Sequence, residues 1–160
     1  GPDMRLLVCG LNPSLVAADA GYGYAGPTNR FWPAALAAGI VTRARQPFHA
    51  LTVDGVGMTD VVKRATPRAD QLDRSEYGAG IKRLRHLVGW LRPGAVVFVG
   101  LTGWRAAVDR RARPGEQPGG FAGVPAYVMP STSGLNAHAR LPDLVEHLRR
   151  AAELPVGGPS

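Results

Sequence analysis

The stretch RLLVCGLNPSLVAADAGYGYAGPTNRFW, residues 5–32, joins a short apolar run to a long polar loop. The run RLLVCG (5–10) is nearly all apolar and ends at a glycine, which is typical of a parallel strand buried on both faces. The loop that follows alternates glycines with Tyr22 and Tyr24 before it ends on Asn-Arg-Phe-Trp. Permissive backbone beside large flat rings favours a pocket for something planar.

Three further apolar runs share the pattern of the first. They are GVGMTDVV (55–62), AVVFVG (95–100) and VPAYVMP (124–130). Helical patterns lie between and after these runs, at residues 28–39, 75–93, 102–112 and 140–154. The alternation, with right-handed crossovers, predicts an α/β fold: a three-layer α/β/α sandwich with a central, mostly parallel four-stranded sheet.

Capping and breaking residues suggest where these elements end. Thr28 and Ser75 suit helix N-caps, and Gly39 suits a C-cap. The segment RRARPGEQPGGFAG (110–123) is rich in glycine and proline. We predict that it is a mobile loop.

Length and composition limit the class of protein. The chain has 160 residues, 45% of them hydrophobic, and can bury a core without metal or disulfides. We predict a single domain over residues 4–154, with residues 1–3 as a remnant of protease cleavage and residues 155–160 as a flexible tail. No apolar run approaches the roughly 18–20 residues that span a bilayer. The only cysteine, Cys9, cannot form an internal disulfide, so we expect a reducing, cytoplasmic location.

The charge of the chain is basic and is carried almost entirely by arginine. Lysine plus arginine number 19 against 12 acidic residues, and only Lys63 and Lys82 are lysines. Arginine binds phosphates through a two-pronged fork and also stacks on bases. A nucleic-acid partner and an arginine-rich surface explain this composition equally well.

Ligands of doubly wound α/β folds bind at the carboxyl ends of the strands. Three loops leave those ends: residues 10–28, the stretch after GVGMTD, and MPSTSGLNAHARL (129–141). We expect these loops to converge on one site. Their candidate residues are Asn12, Tyr22, Tyr24 and Asn29 in the first loop, Asp60 in the second, and Ser131, Ser133, Leu135, Asn136, His138 and Arg140 in the third.

Three segments in these loops carry a family resemblance. GLNPSLVAADAGYGYAGPTNRFW, GMTDVVKRAT and MPSTSGLNAHARL resemble the signatures of the mismatch-specific uracil/thymine DNA glycosylases, family 2 of the uracil-DNA glycosylase superfamily. That family reads G-I-N-P-G, then an aromatic residue, then P-x-N-[RH]-F-W, at the spacing of this chain. The resemblance extends from Arg5 to about Arg150. It implies a DNA glycosylase domain that excises uracil, best opposite guanine, by hydrolysing the N-glycosidic bond in base excision repair.

The resemblance makes Asn12 a catalytic residue that orients a water toward C1′ of the flipped nucleotide. The alternative is an Asx-turn before Pro13. Asp60 is a second catalytic candidate, because a carboxylate in a partly dry pocket can activate water or accept a hydrogen bond from a base. Alternatively, it caps the turn after the strand or pairs with Arg64.

A base pocket is also implied. It comprises Leu11, Ser14, Tyr22, Tyr24, Asn29 and Ser131. Tyr24 occupies the place of the aromatic that stacks on the flipped base, although Tyr22 is an alternative stacker. Ser14 replaces the commoner glycine, and Ser131 stands where the strict uracil enzymes have a catalytic histidine. Asn29 is interpreted as pinning the loop.

The third loop resembles the segment that enters the gap left by the flipped nucleotide. Gly134 and Leu135 match this wedge. Ser133 and Asn136 are candidate contacts to a flanking phosphate or to the orphan guanine. Arg140 is a candidate phosphate contact at the start of a helix.

No cofactor or metal is expected, because one cysteine cannot hold an iron-sulfur cluster and the histidines lack metal-ligand spacing. The predicted site contains no lysine, so we expect a monofunctional hydrolase without a Schiff-base lyase step. The expected partner is double-stranded DNA with a damaged or mismatched base, and no membrane partner is expected. We expect a monomer; a bacterial protein of this kind would be nucleoid-associated. Two alternatives remain open: a glycosylase preferring hypoxanthine or xanthine with Asp60 catalytic, or a non-catalytic nucleic-acid-binding relative.

Overall fold

The computed structural model describes residues 4–154, within which five strands form one sheet. The predicted cleavage remnant and flexible tail lie outside the described residues. The strands are β1 (Leu6–Gly10), β2 (Val56–Asp60), β3 (Ala95–Val99), β4 (Gly115–Phe121) and β5 (Val124–Met129), and their order across the sheet is β2-β1-β3-β5-β4. All neighbours except β4 and β5 pair in parallel, so the predicted parallel strands and fold class are confirmed.

The predicted number of strands was wrong by one. Strand β4 lies inside the segment 110–123 that was predicted as a mobile loop, and it pairs antiparallel with β5. As an edge strand it tolerates Pro118 and a register irregularity between Gln117 and Phe121. Phe121, only 1% exposed, anchors its end in the core. An edge strand pairs along one side only and can therefore contain glycine and proline. These residues made the segment resemble a loop in the sequence.

Helices cover both faces of the sheet. They are α1 (Leu15–Ala20), α2 (Phe31–Ala37), α3 (Pro47–His49, continued by a π-helical turn, Ala50–Asp54), α4 (Arg74–Leu91), α5 (Leu101–Ala107) and α6 (Leu141–Glu153), with a short 3-10 turn at Ala69–Gln71. The four predicted helices are confirmed as α2, α4, α5 and α6, whereas α1 and α3 were missed. No helix within residues 4–154 is long and apolar enough to span a membrane.

The core forms two layers on opposite sides of the sheet because strand side chains alternate between faces. Leu6 and Val8 of β1 pack in the cluster that includes Trp32 of α2 and helix α6. Leu7 and Cys9 pack in the other cluster, with α4 and α5. Fully burying side chains of this size stabilises the fold by roughly 1.5–3 kcal/mol each.

Two predicted helix caps were wrong. Helix α2 begins at Phe31 instead of after Thr28, and the Asn29 side-chain oxygen accepts the Phe31 N–H at 2.9 Å. Helix α4 is capped by Asp73 instead of Ser75, since the carboxylate of Glu76 accepts the Asp73 N–H at 2.7 Å. This capping box, an acceptor at the N-cap and Glu three residues later, is readable in the sequence DRSE.

Candidate active site

The carboxyl ends of β1 and β2 lie side by side and fix the first two loops against each other. Gly10 is in register with Asp60, and the pairing continues past the strands. The Val61 N–H donates to the Gly10 carbonyl at 2.8 Å, and the Val62 N–H donates to the Leu11 carbonyl at 2.9 Å. The first loop therefore leaves the sheet directly beside Asp60.

The third loop is bound to the first by Arg30 and Asn29. The Arg30 N–H donates to the Thr132 carbonyl at 2.9 Å, and its guanidinium donates to the carbonyls of Ser133 and Asn136 at 2.9 and 3.0 Å and to that of Ala139. The Asn29 side-chain oxygen accepts the Thr132 hydroxyl at 2.9 Å. All three loops thus converge, and Asn29 pins its loop as predicted.

Sequence reasoning missed Arg30, although its place in the motif Asn-Arg-Phe-Trp was a usable signal.

A pocket of about 230 Å³ opens between the first loop and the end of β2. Its lining residues are Gly21, Tyr22, Gly23, Tyr24, Pro47, Met58, Thr59, Asp60 and Lys63. Three of them, Tyr22, Tyr24 and Asp60, were predicted. A larger cavity of about 400 Å³ lies between the β4–β5 edge and the end of α6, and none of the predicted site residues lines it.

Tyr24 forms one wall of the pocket in a strained conformation. Its backbone φ is +60°, a left-handed value that usually costs a non-glycine residue of order 1–3 kcal/mol. Its ring stacks on Phe31, with centroids 4.3 Å apart and planes inclined by 22°. The hydroxyl is buried and has no hydrogen-bond partner among residues 4–154, and burial raises the pKa of Tyr24 well above its usual value.

Gly10 makes room for the two polar groups of the pocket. A Cβ added there would lie 2.6 Å from a carboxylate oxygen of Asp60 and 2.9 Å from the Tyr24 hydroxyl. Both side chains therefore face the same point on β1. No larger residue at this position fits without displacing one of them.

Burial raises the pKa of Asp60 above the usual range of a carboxyl, against the opposing influence of Lys63 and Arg83. The Lys63 ammonium donates to the Thr59 hydroxyl at 2.9 Å, and the Arg83 guanidinium donates to the backbone carbonyl of Asp60. Within the described chain no group donates a hydrogen bond to the Asp60 carboxylate.

The alternative pairing of Asp60 with Arg64 was wrong. Arg64 binds Glu76 instead, with nitrogen–oxygen distances of 2.8 and 3.0 Å. Asp60 is therefore a partly desolvated carboxylate. The two cations that influence it, Lys63 and Arg83, hydrogen-bond other groups instead of the carboxylate itself.

Asn12 is held by residues far along the chain. Its side-chain nitrogen donates to the Arg64 carbonyl at 2.9 Å and to the Thr66 hydroxyl at 2.8 Å. Both amide hydrogens are thereby used, which fixes the orientation of the amide. Its oxygen accepts no hydrogen bond from any described residue and can accept one from a water. The alternative of a local Asx-turn was wrong, because no neighbouring backbone N–H of the described chain donates to that oxygen, while the amide nitrogen binds residues more than 50 positions away.

Four of the six residues predicted for the base pocket do not line it: Leu11, Ser14, Asn29 and Ser131. Asn29 instead joins the first loop to the third. The Leu11 side chain packs toward α5, where a Cβ on Gly103 would lie 2.5 Å from it. Ser14 is the N-cap of α1, and its hydroxyl accepts the Ala17 N–H at 3.1 Å. The Ser131 hydroxyl accepts the Ser133 N–H at 3.2 Å. Local backbone hydrogen bonds and core packing engage these side chains.

The predicted wedge is presented by a braced loop. Leu135 is 86% exposed, and Gly134 lies so close to Thr28 that a Cβ would approach the Thr28 hydroxyl to 2.6 Å. The Ser133 hydroxyl accepts the Leu135 N–H at 3.2 Å, and the Asn136 amide donates to the Ser131 carbonyl at 2.9 Å. Ser133 and Asn136 thus shape the loop.

Arg140 is the N-cap residue of α6 and is exposed. Its side chain is therefore accessible to a DNA phosphate, and the phosphate contact stays a prediction.

The pocket also contains residues that sequence reasoning did not assign to it. Lys63 follows Asp60 by three residues, inside the segment GMTDVVKRAT, and its position there was the available signal. Pro47 comes from a separate element, α3, for which the sequence offered no such signal.

A family model described as the uracil DNA glycosylase superfamily matches residues 1–153. The match spans nearly the whole chain and includes all three loops of the candidate site. It agrees with the mostly parallel sheet and with the polar site at the carboxyl ends of its strands. The chain therefore belongs to the uracil DNA glycosylase superfamily, whose members are hydrolases that act on DNA.

Proposed function

We propose that this DNA glycosylase flips uracil out of duplex DNA, best from G:U mismatches, and hydrolyses its N-glycosidic bond in base excision repair. The observation that carries the proposal is the pairing of a stacked aromatic wall, Tyr24, with a desolvated carboxylate, Asp60, in one pocket. A base inside a duplex cannot be reached, so the enzyme must extrude it and offset a few kcal/mol of lost stacking and pairing. The Tyr24 ring offers a new stacking surface in compensation.

The hydrolysis is assigned to Asp60 and Asn12. The oxygen of a water bonds to C1′ as the bond from C1′ to the base nitrogen breaks, and the base leaves with the bonding electrons. Asp60 accepts the proton of the water, and its raised pKa makes it a stronger base than an ordinary carboxylate. The free side-chain oxygen of Asn12 accepts a hydrogen bond from the same water and orients it.

DNA contacts are assigned to the braced loop. Leu135 is exposed in the free protein. When DNA binds, it enters the space left by the flipped nucleotide and is covered there by the neighbouring bases. Arg140 contacts a phosphate, and Ser133 and Asn136 hold the loop in the shape that presents Leu135. The protein acts as a monomer in the cytoplasm.

We retain the proposal of a hydrolase without lyase activity, although Lys63 lines the pocket. A Schiff base requires the amine to reach C1′, and the Lys63 Nζ instead donates to the Thr59 hydroxyl at 2.9 Å. Borohydride reduction of a reaction with uracil-containing DNA should therefore trap no covalent adduct between protein and DNA.

The assay of the proposal uses labelled duplexes with U:G, U:A, T:G and hypoxanthine:T, and single-stranded uracil DNA, followed by alkaline cleavage of abasic sites. We expect cleavage to be strongest with U:G, and Asn12→Ala to slow it on the order of 100-fold because the water loses its orienting group. Binding without strand breaks on any substrate would leave only a non-catalytic nucleic-acid binder. Full activity of Asn12→Ala would remove Asn12 from the mechanism.

The same assay tests a second candidate, a glycosylase for hypoxanthine or xanthine. The half-buried Asp60 carboxylate favours it, because an acceptor in the pocket suits the ring N–H of either base. Faster cleavage of hypoxanthine:T than of U:G, abolished in Asp60→Ala, would select this candidate over uracil.

A further inference from the structure

An exposed aromatic side chain stands one residue from the wall of the pocket. Pro47 lines the pocket, and Phe48, the next residue of α3, is 78% exposed. Leu51 is also exposed and lies three residues further on, about one helical turn. We call Phe48 and Leu51 the apolar lip. Neither residue belongs to the three loops that define the site.

The segment that carries the apolar lip is held rigidly from behind. The Asp54 carboxylate accepts the Thr42 N–H at 3.0 Å and the Thr42 hydroxyl at 2.9 Å. His49 Nε2 lies 2.8 Å from the same hydroxyl, and the Thr52 hydroxyl donates to the Phe48 carbonyl at 2.8 Å. An aromatic ring presented on such a segment loses little conformational freedom when it binds, which favours a contact role.

The segment that carries the apolar lip has an excess of positive charge. Residues 41–54 include Arg43 and Arg45 against one carboxylate, that of Asp54, which accepts two hydrogen bonds from Thr42. Arg45 donates to the Ala25 carbonyl at 2.9 Å and so fastens this segment to the first loop. Lys63 adds a cation at the pocket itself. Positive charge around an exposed ring matches a nucleic-acid strand, which offers phosphates and base faces together.

We propose that Phe48 contacts DNA, with its ring packed on a nucleotide that flanks the flipped one in the same strand. This inference rests on the proposed function. A strand that delivers a nucleotide into the pocket must pass close to Pro47, which lines it, and the exposed Phe48 is the next residue. The base next to the flipped nucleotide loses a stacking neighbour when that nucleotide leaves the helix, and the Phe48 ring takes the place of the lost neighbour. Leu135 enters the gap in the duplex, while Phe48 supports the strand beside it.

Trp90 provides a matched control for Phe48. It is 80% exposed and lies near the end of α4, just before the chain enters β3. This position is at the end of the sheet opposite to the carboxyl ends of the parallel strands. A general loss of exposed aromatic surface therefore affects both variants, whereas a specific DNA contact affects only Phe48→Ala.

The experiment measures binding of the full chain to a fluorescent duplex that carries a tetrahydrofuran abasic analogue opposite guanine. We expect Phe48→Ala to raise Kd roughly tenfold, as loss of one aromatic–base stack does, with Trp90→Ala within about twofold of the parent. Phe48→Trp should restore binding. Thermal unfolding should match the parent in all three variants, because both rings are exposed.

The outcomes separate this inference from the proposed function. If the parent excises uracil and binds the duplex while Phe48→Ala behaves the same, only the inference fails. If the parent neither binds nor excises, the proposed function itself fails. A changed sedimentation coefficient of Phe48→Ala with an unchanged Kd would assign the ring to contact with a second copy of the chain, and this result also overturns the inference.

Discussion

The polar groups of the pocket and those of the brace, by which we mean Arg30 and the carbonyls it binds in the loop after β5, are hydrogen-bonded to very different extents. In the pocket, the Tyr24 hydroxyl is buried without a partner, and the Asp60 carboxylate is desolvated with no donor among the described residues. In the brace, the two terminal nitrogens of Arg30 bind three carbonyls of the loop after β5, and its Nε is buried without a partner among the described residues. Unsatisfied buried groups cost stability, whereas charged hydrogen bonds supply it. The difference indicates that the brace stabilises a pocket whose polar groups are left for a ligand.

Asp60→Asn tests the pocket side of this comparison and has the largest expected effect. We expect excision of uracil to slow by roughly 10²–10⁴-fold, the usual contribution of a general base, because an amide cannot accept the proton of the water. In the parent, the rate should fall as pH decreases through the raised pKa of Asp60, and this limb should be absent from the variant. Single-turnover kinetics across pH measure both effects.

The stability of Asp60→Asn should change in the opposite direction to its activity. The pKa of Asp60 is higher in the folded than in the unfolded chain, so the folded state binds more protons and the parent loses stability as pH rises through this range. Asp60→Asn should therefore unfold at a higher temperature than the parent at neutral pH. The gap should shrink as pH falls below the raised pKa toward about 3.9, the ordinary value for aspartate. A variant less stable than the parent at neutral pH would mean that Asp60 is structural.

Arg30→Ala tests the brace and comes next in size. It removes hydrogen bonds from a charged donor to the carbonyls of Ser133, Asn136 and Ala139. We expect the free energy of unfolding to fall by about 3 kcal/mol, measured by denaturant titration. Arg43→Ala, at an exposed arginine, is the control and should stay within about 0.5 kcal/mol of the parent. Equal stability of the two variants would show that the loop after β5 holds its shape without Arg30.

The sequence predicted the parts of the site that follow from strand order. Gly10 ends the first apolar run and Asp60 lies near the end of the second, and parallel pairing brings such ends together. The partners of Asn12 were not predictable, because its amide binds Arg64 and Thr66 across the chain and no local pattern encodes that distance. Ser14 was assigned to the pocket, although a serine before a short helix is also an N-cap signal.

The same holds for the fold: elements with a run or periodic pattern of apolar residues were predicted, and elements without one were missed. Strands β1 and β3 are buried along their whole length and β5 along most of it, so they read as apolar runs and were predicted. Strand β2, at the other edge of the sheet, is buried only at its first two residues but was still recognised. Strand β4 is an edge strand whose exposed Gly and Pro residues resemble a loop, and only its pairing with β5 identifies it. Pro47 reaches the pocket through α3, a single helical turn too short to leave a periodic signal.

Tyr24→Phe tests the contrast between pocket and brace with the smallest change, the loss of one oxygen. The ring keeps its stack on Phe31, so an effect on function cannot come from lost stacking. Because the hydroxyl is buried without a described partner, its removal should raise the free energy of unfolding by about 1 kcal/mol. We expect uracil excision to fall severalfold in the same variant, since the hydroxyl lies beside the Asp60 carboxylate and can hydrogen-bond a substrate or a water there. Denaturant titration and single-turnover kinetics on one preparation measure both, and a stabilised variant with unchanged kinetics would show that the hydroxyl serves neither fold nor reaction.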